Sequence, residues 1–188
     1  KEIQTTDDGG MIVAGNTFSN NGDIVGNHGS MDYWILKLTG TGDIEWQKTL
    51  GSTDLQQVFS VKQTIDGGYL FAGMTSGAIN GDVTISHGDS DVWLVKLSNI
   101  GALQWQKSFG GIGGDYARSI AMTSDSGFIV AGASYSNNID LTNNHGQLDC
   151  WIIKLTPENL GLASFENDRS FTLYPNPTTS LLEIRNTN

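Results

Sequence analysis

The stretch Asp91-Val-Trp-Leu-Val-Lys-Leu97 decides the fold, because close copies of it occur at two other places in the chain. The copies are Asp32-Tyr-Trp-Ile-Leu-Lys-Leu38 and Asp149-Cys-Trp-Ile-Ile-Lys-Leu155, so the tryptophan recurs after 59 and then 58 residues. A fixed period of this size is the signature of a repeat architecture. Apolar residues occupy both faces of the predicted strand, which indicates that neighbouring layers cover it on both sides.

Each repeat can be divided into four strands, with repeat boundaries near residues 57 and 116. In the second repeat the predicted strands are Val58–Ile65, Tyr69–Thr75, Asp91–Ser98 and Leu103–Phe109. Four antiparallel strands in a repeat of this length are the content of one β-propeller blade. The sequence therefore predicts an all-β, β-propeller-like array of about three four-stranded antiparallel blades over residues 1–156. An open, β-solenoid-like stack is the alternative architecture.

Two small motifs recur within these strands. The first two strands are joined by Asp-Gly-Gly, or by Asp-Ser-Gly in the third repeat. In such a turn the aspartate can cap backbone amides and glycine can supply a positive φ. The next strand contains an Ala-Gly pair in every repeat, ending at Gly15, Gly73 and Gly132. A small pair repeated at one position predicts a close approach of neighbouring backbones.

The composition argues against several classes of partner. The formal net charge is -10 and the pI is about 4.4, which disfavours nucleic acid, whose binding needs a basic patch. No run approaches the roughly 20 apolar residues of a membrane helix.

The single cysteine, Cys150, stands where the other repeats have Tyr33 and Val92, so we predict a small buried side chain and no internal disulfide. Alignment places Lys1 opposite Phe59, inside a strand, which predicts further repeats upstream.

The recurring Asp-Gly-Gly-Tyr, Ala-Gly, Asp-x-Trp-x-x-Lys-Leu and Trp-Gln-Lys elements resemble repeats of large secreted bacterial surface proteins. Those proteins often end in a type IX secretion (Por) sorting domain. The segment Phe171–Ile184 looks like the opening of such a domain, with a core of Tyr174, Pro175, Asn176 and Pro177.

This resemblance implies that residues 171–188 begin a truncated β-sandwich sorting domain recognised by the type IX translocon. It also implies a protein that is secreted or held at the outer-membrane surface. Residues 157–170 are then either a linker or the last strand of the third blade, since Gly161 precedes Phe165 by the spacing that Gly101 shows before Trp105.

One long loop in each repeat carries a recurring polar set. An Asn-x-Asp triplet is followed by a histidine five residues after the aspartate, and by another aspartate four residues further on. Carboxylate and amide oxygens are the ligands that calcium prefers, whereas one histidine per loop is too few for a transition-metal site. The candidate calcium ligands are Asp23, Asp82 and Asp140, with Asn21, Asn80 and Asn138.

A purely structural interpretation of these loops stands beside the calcium one. In it, Asx turns hold the loop, the histidine bonds to a strand end, and the apolar residue after the first aspartate packs on the sheet. Ile139 replaces the glycines Gly22 and Gly81 of the other two loops, so the third loop is expected to turn differently.

Catalytic signatures are missing from the sequence. It has no nucleophile elbow, no paired-histidine motif and no phosphate-binding glycine loop before a helix. The turn Thr64-x-Asp66-x-Gly68 resembles part of the Asp-box of sialidase-type propellers, where it is a structural turn. Asp115 and Arg118 are not repeated, and we predict a surface ion pair between them. The tryptophans are expected to be buried in the cores of the blades, with an aromatic platform for sugars as the alternative.

The expected function is therefore that of a non-enzymatic secreted or surface module for adhesion or ligand binding. Its expected partners are an extracellular glycan or protein, and calcium is the one cofactor considered. The alternative is a non-catalytic propeller domain of a secreted hydrolase whose catalytic module lies upstream.

Overall fold

The computed structural model describes residues 1–142 and 144–156, together with the backbone of residues 173–174. These residues form strands, turns and loops without a helix, which confirms the all-β prediction. Consequently, none of the described part of the chain forms a long apolar helix that could cross a bilayer.

The strands form three sheets, and each sheet is hydrogen-bonded in chain order with every pair antiparallel. The first sheet contains β1 (Glu2–Thr5), β2 (Met11–Thr17), β3 (Asp32–Leu38) and β4 (Ile44–Leu50). The second contains β5 (Gln56–Gln63), β6 (Tyr69–Ser76), β7 (Ser90–Leu97) and β8 (Leu103–Phe109). The third contains β9 (Asp115–Met122), β10 (Phe128–Ser134), β11 (Asp149–Leu155) and β12 (Leu173–Tyr174). The four-stranded repeat is thus confirmed for the first two sheets, whereas the third sheet takes its short fourth strand from residues 173–174, outside the predicted repeat span 1–156. The described sheets close neither a barrel nor a ring.

The strand β12 is short and pairs with β11 through Tyr174 opposite Ile152 and Leu173 opposite Ile153. These two residues belong to the segment predicted to open the sorting domain. The predicted linker 157–170 and the rest of the sorting motif, Pro175, Asn176 and Pro177, lie outside the described residues.

The sheets stack face to face through two apolar cores. Between the first and second sheets, the ring centroids of Tyr33 and Trp93 are 4.7 Å apart, and the Tyr33 hydroxyl donates to the Trp93 carbonyl (3.2 Å). Between the second and third sheets, Val92 and Leu94 share a core with Trp151 and Ile153. Strand β7 is consequently buried on both faces, as its sequence predicted. Trp93, Trp105 and Trp151 are buried, whereas Trp34 and Trp46 are half-buried.

The repeated Ala-Gly pair brings backbones close together, as predicted. A Cβ on Gly73 would overlap the Gln57 carbonyl oxygen, and a Cβ on Gly132 would overlap that of Tyr116. Both sites lie beside an irregularity in the strand pairing, at Val58/Ser60 and Ala131/Gly132. A Cβ on Gly15 would instead meet its nearest atom, the Trp34 carbonyl oxygen, at an ordinary 3.5 Å.

Two predictions about single residues are wrong. Cys150 is exposed, because among the described residues no further sheet covers that side of the third repeat. Asp115 is fully buried and forms no surface ion pair with Arg118. The guanidinium of Arg118 stacks instead on the rings of Phe59 (4.5 Å) and Tyr116 (4.6 Å), because these aromatic side chains lie beside it on β5 and β9.

The contrast between Gly73 and Gly15 gives a matched test of the close approach. We expect Gly73→Ala to lower the free energy of unfolding by about 2–3 kcal/mol, because the methyl group meets backbone that cannot move aside cheaply. Gly15→Ala should change stability by less than about 1 kcal/mol, since the added methyl group would make only ordinary van der Waals contact with Trp34 and alanine is less flexible when unfolded. Urea denaturation followed by tryptophan fluorescence measures both. Equal effects of the two changes would refute the close-approach argument.

Candidate functional site

The long loops connect neighbouring sheets. In the second repeat, the Gly51 N–H donates to Asp82 Oδ2 (3.0 Å) and the Thr53 N–H donates to Asn80 Oδ1 (3.0 Å). Gly51 and Thr53 belong to the segment that joins the first sheet to the second. The Asn-x-Asp triplet therefore fastens its loop to the connection from the preceding repeat.

The third repeat makes the same connection. The Gly110 N–H donates to Asp140 Oδ2 (3.0 Å), and the Ile112 N–H donates to Asn138 Oδ1 (3.0 Å). The first loop differs, because Asn21 and Asp23 are exposed there. In that loop the Asp23 carbonyl accepts a hydrogen bond from Gln47 Nε2 (2.7 Å).

Each loop histidine bonds to an aspartate in the first two residues of the next strand. The His28 N–H and Nδ1 both lie 2.8 Å from Asp32 Oδ2. The His87 N–H donates to Asp91 Oδ2 (2.8 Å) and the His145 N–H to the equivalent carboxylate of Asp149 (2.6 Å). The predicted bond between the histidine and a strand end is thus confirmed in all three repeats.

Burial shifts the pKa of two of these aspartates. Asp32 and Asp91 have no exposed surface, and burial raises the pKa of each carboxyl group. Hydrogen bonds from His28 and His87 favour the ionised forms and offset only part of that rise. His28 Nε2 also lies 3.8 Å from Asp82 Oδ2, so the first loop faces the second across the repeat boundary.

The apolar residue after the first aspartate of each loop packs the loop against the sheets, as predicted. Val83 and Leu141 are buried and belong to the two intersheet cores, while Ile24 is half-buried. The expected difference in the third turn is not found. Ile139 has φ 60°, beside 65° for Gly22 and 58° for Gly81, so the same turn is kept in the left-handed region that favours glycine.

A second set of contacts at each repeat junction had not been predicted. Gln56 and Asp115 occupy equivalent positions, 59 residues apart, and both are fully buried. Gln56 accepts from the Ser52 N–H (2.7 Å) and donates to the Thr75 hydroxyl (3.2 Å). Asp115 accepts from the Gly111 N–H (2.7 Å) and the Ser136 hydroxyl (2.7 Å). Because the residue type changes between repeats, the sequence pattern does not reveal the shared role.

A lysine on the third strand of each sheet, buried in the first two repeats and partly exposed in the third, is the other feature that sequence analysis missed. Lys96 Nζ, which has no exposed surface, donates to Asp66 Oδ2 (2.9 Å), Gln104 Oε1 (2.8 Å) and the Leu97 carbonyl (3.2 Å). Asp66 lies in the turn between β5 and β6, where Thr64 donates to it. We name this arrangement the lysine clasp.

The lysine clasp recurs in the other two repeats. Lys37 Nζ lies 2.9 Å from Asp8 and 3.3 Å from Glu45, and Lys154 Nζ lies 2.8 Å from Asp125. The aspartate precedes the lysine by 29, 30 and 29 residues, a spacing that could have indicated the pair. The clasp also explains the last glycine of the turn, since a Cβ on Gly68 would overlap both Lys96 Nζ and the Leu97 carbonyl.

The pKa values of the charged groups in the lysine clasp depend on burial and on the number of carboxylates beside each lysine. Burial lowers the pKa of Lys96, and Asp66 offsets only part of that effect. Burial also opposes the charge of Lys37, but the carboxylates of Asp8 and Glu45 outweigh it and raise the pKa of this lysine. Burial alone would raise the pKa of Asp66, yet Thr64 and Lys96 together bring it below its usual range.

The loop end of the array also exposes apolar side chains. We define the loop edge as the long loops 18–31, 77–89 and 135–148 with the connections 51–55 and 110–114. Its large apolar residues that are about half exposed or more are Phe18, Val25, Ile79, Ile85, Ile112, Tyr135 and Ile139. Several have a polar counterpart in another repeat, such as Ser76 for Phe18 and Thr53 for Ile112. The fold of the repeat therefore does not require apolar side chains at these positions.

The lysine clasp predicts unequal costs for two equivalent substitutions. Asp66→Asn leaves the fully buried Lys96 without a counter-charge, so we expect a loss of about 2–3 kcal/mol. Asp125→Asn should cost about 1 kcal/mol or less, because Lys154 and Asp125 both reach solvent. Urea denaturation at pH 7 measures both changes, and a larger effect at Asp125 would contradict the role given to burial.

The clasp carboxylates also give a pH dependence. The pKa of Asp66 is lower in the folded state, so its contribution is complete above the unfolded value of about 3.9 and is lost as the pH falls through the folded one. The difference in stability between the native chain and Asp66→Asn should therefore shrink in acid.

Calcium binding by the loops can be tested directly. Among the described residues, no group of three or more His, Cys, Asp or Glu side chains is arranged to hold a metal ion. Asp82 and Asp140 are instead engaged with backbone amides. We expect millimolar calcium to leave the melting curve of chelator-treated protein unchanged. A rise in melting temperature that disappears in Asp82→Asn would establish the calcium interpretation instead.

Comparison with models of known protein families and with curated proteins found no match to this chain.

Proposed function

We propose that this chain is a non-enzymatic binding module in which the three sheets are blades of a β-propeller-like array and the loop edge contacts an extracellular ligand. The blades supply a rigid scaffold, and the loops present the contact residues. On this proposal the protein is secreted or attached to the cell surface, and the tail around Tyr174 and Pro177 directs export by the type IX translocon.

The propeller part of the proposal is supported by how the sheets are arranged. Four antiparallel strands in chain order and face-to-face stacking are the features of neighbouring blades. The first strands of successive sheets lie next to one another. The Glu2 carboxylate of β1 accepts from the Val61 N–H of β5 (2.8 Å), and the Ser60 hydroxyl of β5 accepts from the Ile120 N–H of β9 (3.2 Å).

The observation that carries the binding function is the exposed apolar content of the loop edge. Phe18 is 69% exposed and Tyr135 is 49% exposed, and these two residues occupy equivalent positions of the first and third repeats. Among the described residues both exposed aromatic side chains lie on this edge, whereas exposed aliphatic side chains such as Ile65 and Ile100 also occur at the opposite end. The exposed aromatic rings therefore favour the loop edge as the interaction surface. Aromatic rings with one free face suit sugar rings, so an extracellular glycan is the favoured ligand.

The roles of the repeated polar residues also support a module without catalysis. Asp82 and Asp140 bind backbone amides, the loop histidines bind strand-end aspartates, and the turn aspartates bind buried lysines. The alternative is a non-catalytic domain of a secreted hydrolase. The same loop edge would then hold the substrate for a catalytic module elsewhere in the protein. The complete reading frame distinguishes the binding module from the hydrolase domain, because only the second requires a catalytic domain upstream.

Binding at the loop edge can be measured with fluorescently labelled protein on an array of extracellular polysaccharides. We expect retention that falls at least about tenfold in Phe18→Ser and Tyr135→Ser, because each change removes an aromatic contact worth more than about 1.4 kcal/mol. Ile65→Ser is the matched control, since Ile65 is 71% exposed in a turn at the opposite end. Hydrolysis of any polysaccharide, or equal retention of all variants, would contradict the proposal.

A further inference from the structure

The junction between the second and third sheets carries side chains that the first junction does not have. Its backbone is held in the same way. The Asp89 N–H donates to the Ile112 carbonyl (3.4 Å), and the Tyr135 N–H donates to the Gly114 carbonyl (3.0 Å). The same two bonds at the first junction join residues of equivalent position: Ser30 to Thr53 (3.3 Å) and Ser76 to Leu55 (2.9 Å). The two junctions therefore share one backbone arrangement and differ in the side chains that they present.

Two glycines leave room for the side chain of Tyr135. A Cβ on Gly113 would crowd Tyr135 Cβ at 3.2 Å, and a Cβ on Gly114 would touch Tyr135 Cδ2 at 3.7 Å. The first junction reverses these sizes, with Asp54 and Leu55 at the glycine positions and a serine in place of the tyrosine. Tyr135 is nevertheless 49% exposed. Its ring is thus held against the connection and still reaches solvent.

Asp89 presents a free carboxylate beside this ring. Ser90, the next residue, forms a bridge with Gly114, against which the Tyr135 ring lies. Asp89 is exposed, and among the described residues nothing donates a hydrogen bond to its carboxylate. Ile112, which is 66% exposed, adds an apolar side chain. We call Asp89, Ile112 and Tyr135 the junction patch.

The charge of the loop edge restricts the ligand. The loop edge contains no lysine or arginine, and it contains five aspartates: Asp23, Asp54, Asp82, Asp89 and Asp140. Three of them, Asp54, Asp82 and Asp140, accept hydrogen bonds from backbone amides. A surface of one charge sign attracts ligands of the opposite sign and repels those of the same sign. Acidic polysaccharides are therefore disfavoured at this edge.

Resting on the binding function proposed for the loop edge, we propose that the junction patch is a subsite for a sugar unit that carries a protonated amine. The ligand is then an amino-sugar polysaccharide. The Tyr135 ring packs against the apolar face of the sugar, and the Asp89 carboxylate accepts a hydrogen bond from the ammonium group. A charge-assisted bond of this kind is about twice as strong as a neutral one, so the amine is preferred over a hydroxyl or an amide.

Two oligosaccharides that differ only at the amine test this assignment. They are a short glucosamine oligomer and its fully N-acetylated counterpart. Isothermal titration calorimetry measures both at mildly acidic pH, where the sugar amines are protonated. We expect the glucosamine oligomer to bind at least about tenfold more tightly, with a smaller difference at high salt. Equal affinities, or equally tight binding of an acidic oligogalacturonate, overturn the proposal.

Two variants assign the preference to the junction patch. Asp89→Asn keeps the shape of the side chain and removes its charge, so the preference for the glucosamine oligomer should fall to about twofold or less. Tyr135→Ser should weaken the binding of both oligomers by about tenfold, because both use the ring. Asp7→Asn is the matched control, since Asp7 is an exposed aspartate in a turn at the opposite end. An undiminished preference in Asp89→Asn contradicts the role of its carboxylate.

The remaining outcomes separate this inference from the binding function on which it rests. If Phe18→Ser and Tyr135→Ser weaken retention of other polysaccharides and glucosamine is not preferred, only the amino-sugar assignment is wrong. If no polysaccharide is retained, both proposals are wrong. An oligolysine peptide that binds as tightly as the glucosamine oligomer, and does not need Tyr135, would show that the patch recognises a basic peptide instead. Should Asp89→Asn fail to fold, the two oligomers compared on the unaltered chain and on Tyr135→Ser still decide the question.

Discussion

The cost of burying a lysine determines how the first two repeats are built, and the third repeat keeps the same ion pair in a more exposed form. A cation inside a stacked sheet is costly unless a counter-charge and hydrogen-bond acceptors surround it. Here the turn between the first two strands supplies the carboxylate, and the main chain of the lysine's own strand supplies a carbonyl. The first turn is thereby tied to the third strand. One interaction accounts for the threonine, the aspartate and the last glycine of the turn, and for the lysine of β7 and its equivalents.

Neighbouring repeats are held together by polar contacts at the loop end and by apolar packing along the sheets. The loop triplets Asn80-x-Asp82 and Asn138-x-Asp140 bind backbone amides of the connecting segments, which cannot form sheet hydrogen bonds of their own. The apolar cores fill the space between sheets. Every interface is formed by two neighbouring repeats, so the stability of the chain depends on contacts between repeats as well as on those within each repeat.

Periodicity predicted the strands well, because burial on both faces produces short apolar runs and tight turns produce recurring Asp-Gly motifs, and both can be seen in the local sequence. Strand β8 has the predicted bounds, and β5 begins and ends two residues earlier than predicted. The histidine contacts were also local, since His87 and Asp91 are four residues apart. The lysine clasp joins residues about 30 positions apart, and the Gln56 and Asp115 junctions use different residue types for one role. The recurring spacing of aspartate and lysine could have indicated the clasp, whereas the shared role of Gln56 and Asp115 becomes visible only when the fold brings their partners together.

Cys150 shows a different limit of sequence reasoning. Its position is buried in the first two repeats, and the same strand pattern surrounds it in the third. Its environment depends on the next layer of the array and not on its own strand. Burial in a stacked structure is therefore a property of neighbours, which a single repeat's sequence does not contain.

The third repeat keeps two backbone conformations with residues that do not favour them. Ser126 has φ 65° where the other turns have Gly9 and Gly67, and Ile139 has φ 60° in its loop. The Ser126 N–H donates to the Thr123 carbonyl within its turn (3.0 Å), and the Asp140 N–H reaches the Gly110 carbonyl at 3.3 Å where its counterpart in the second repeat spans 2.8 Å. Local opening should therefore cost less free energy in the third repeat than in the second, so its amides should exchange with solvent deuterium before those of the central sheet.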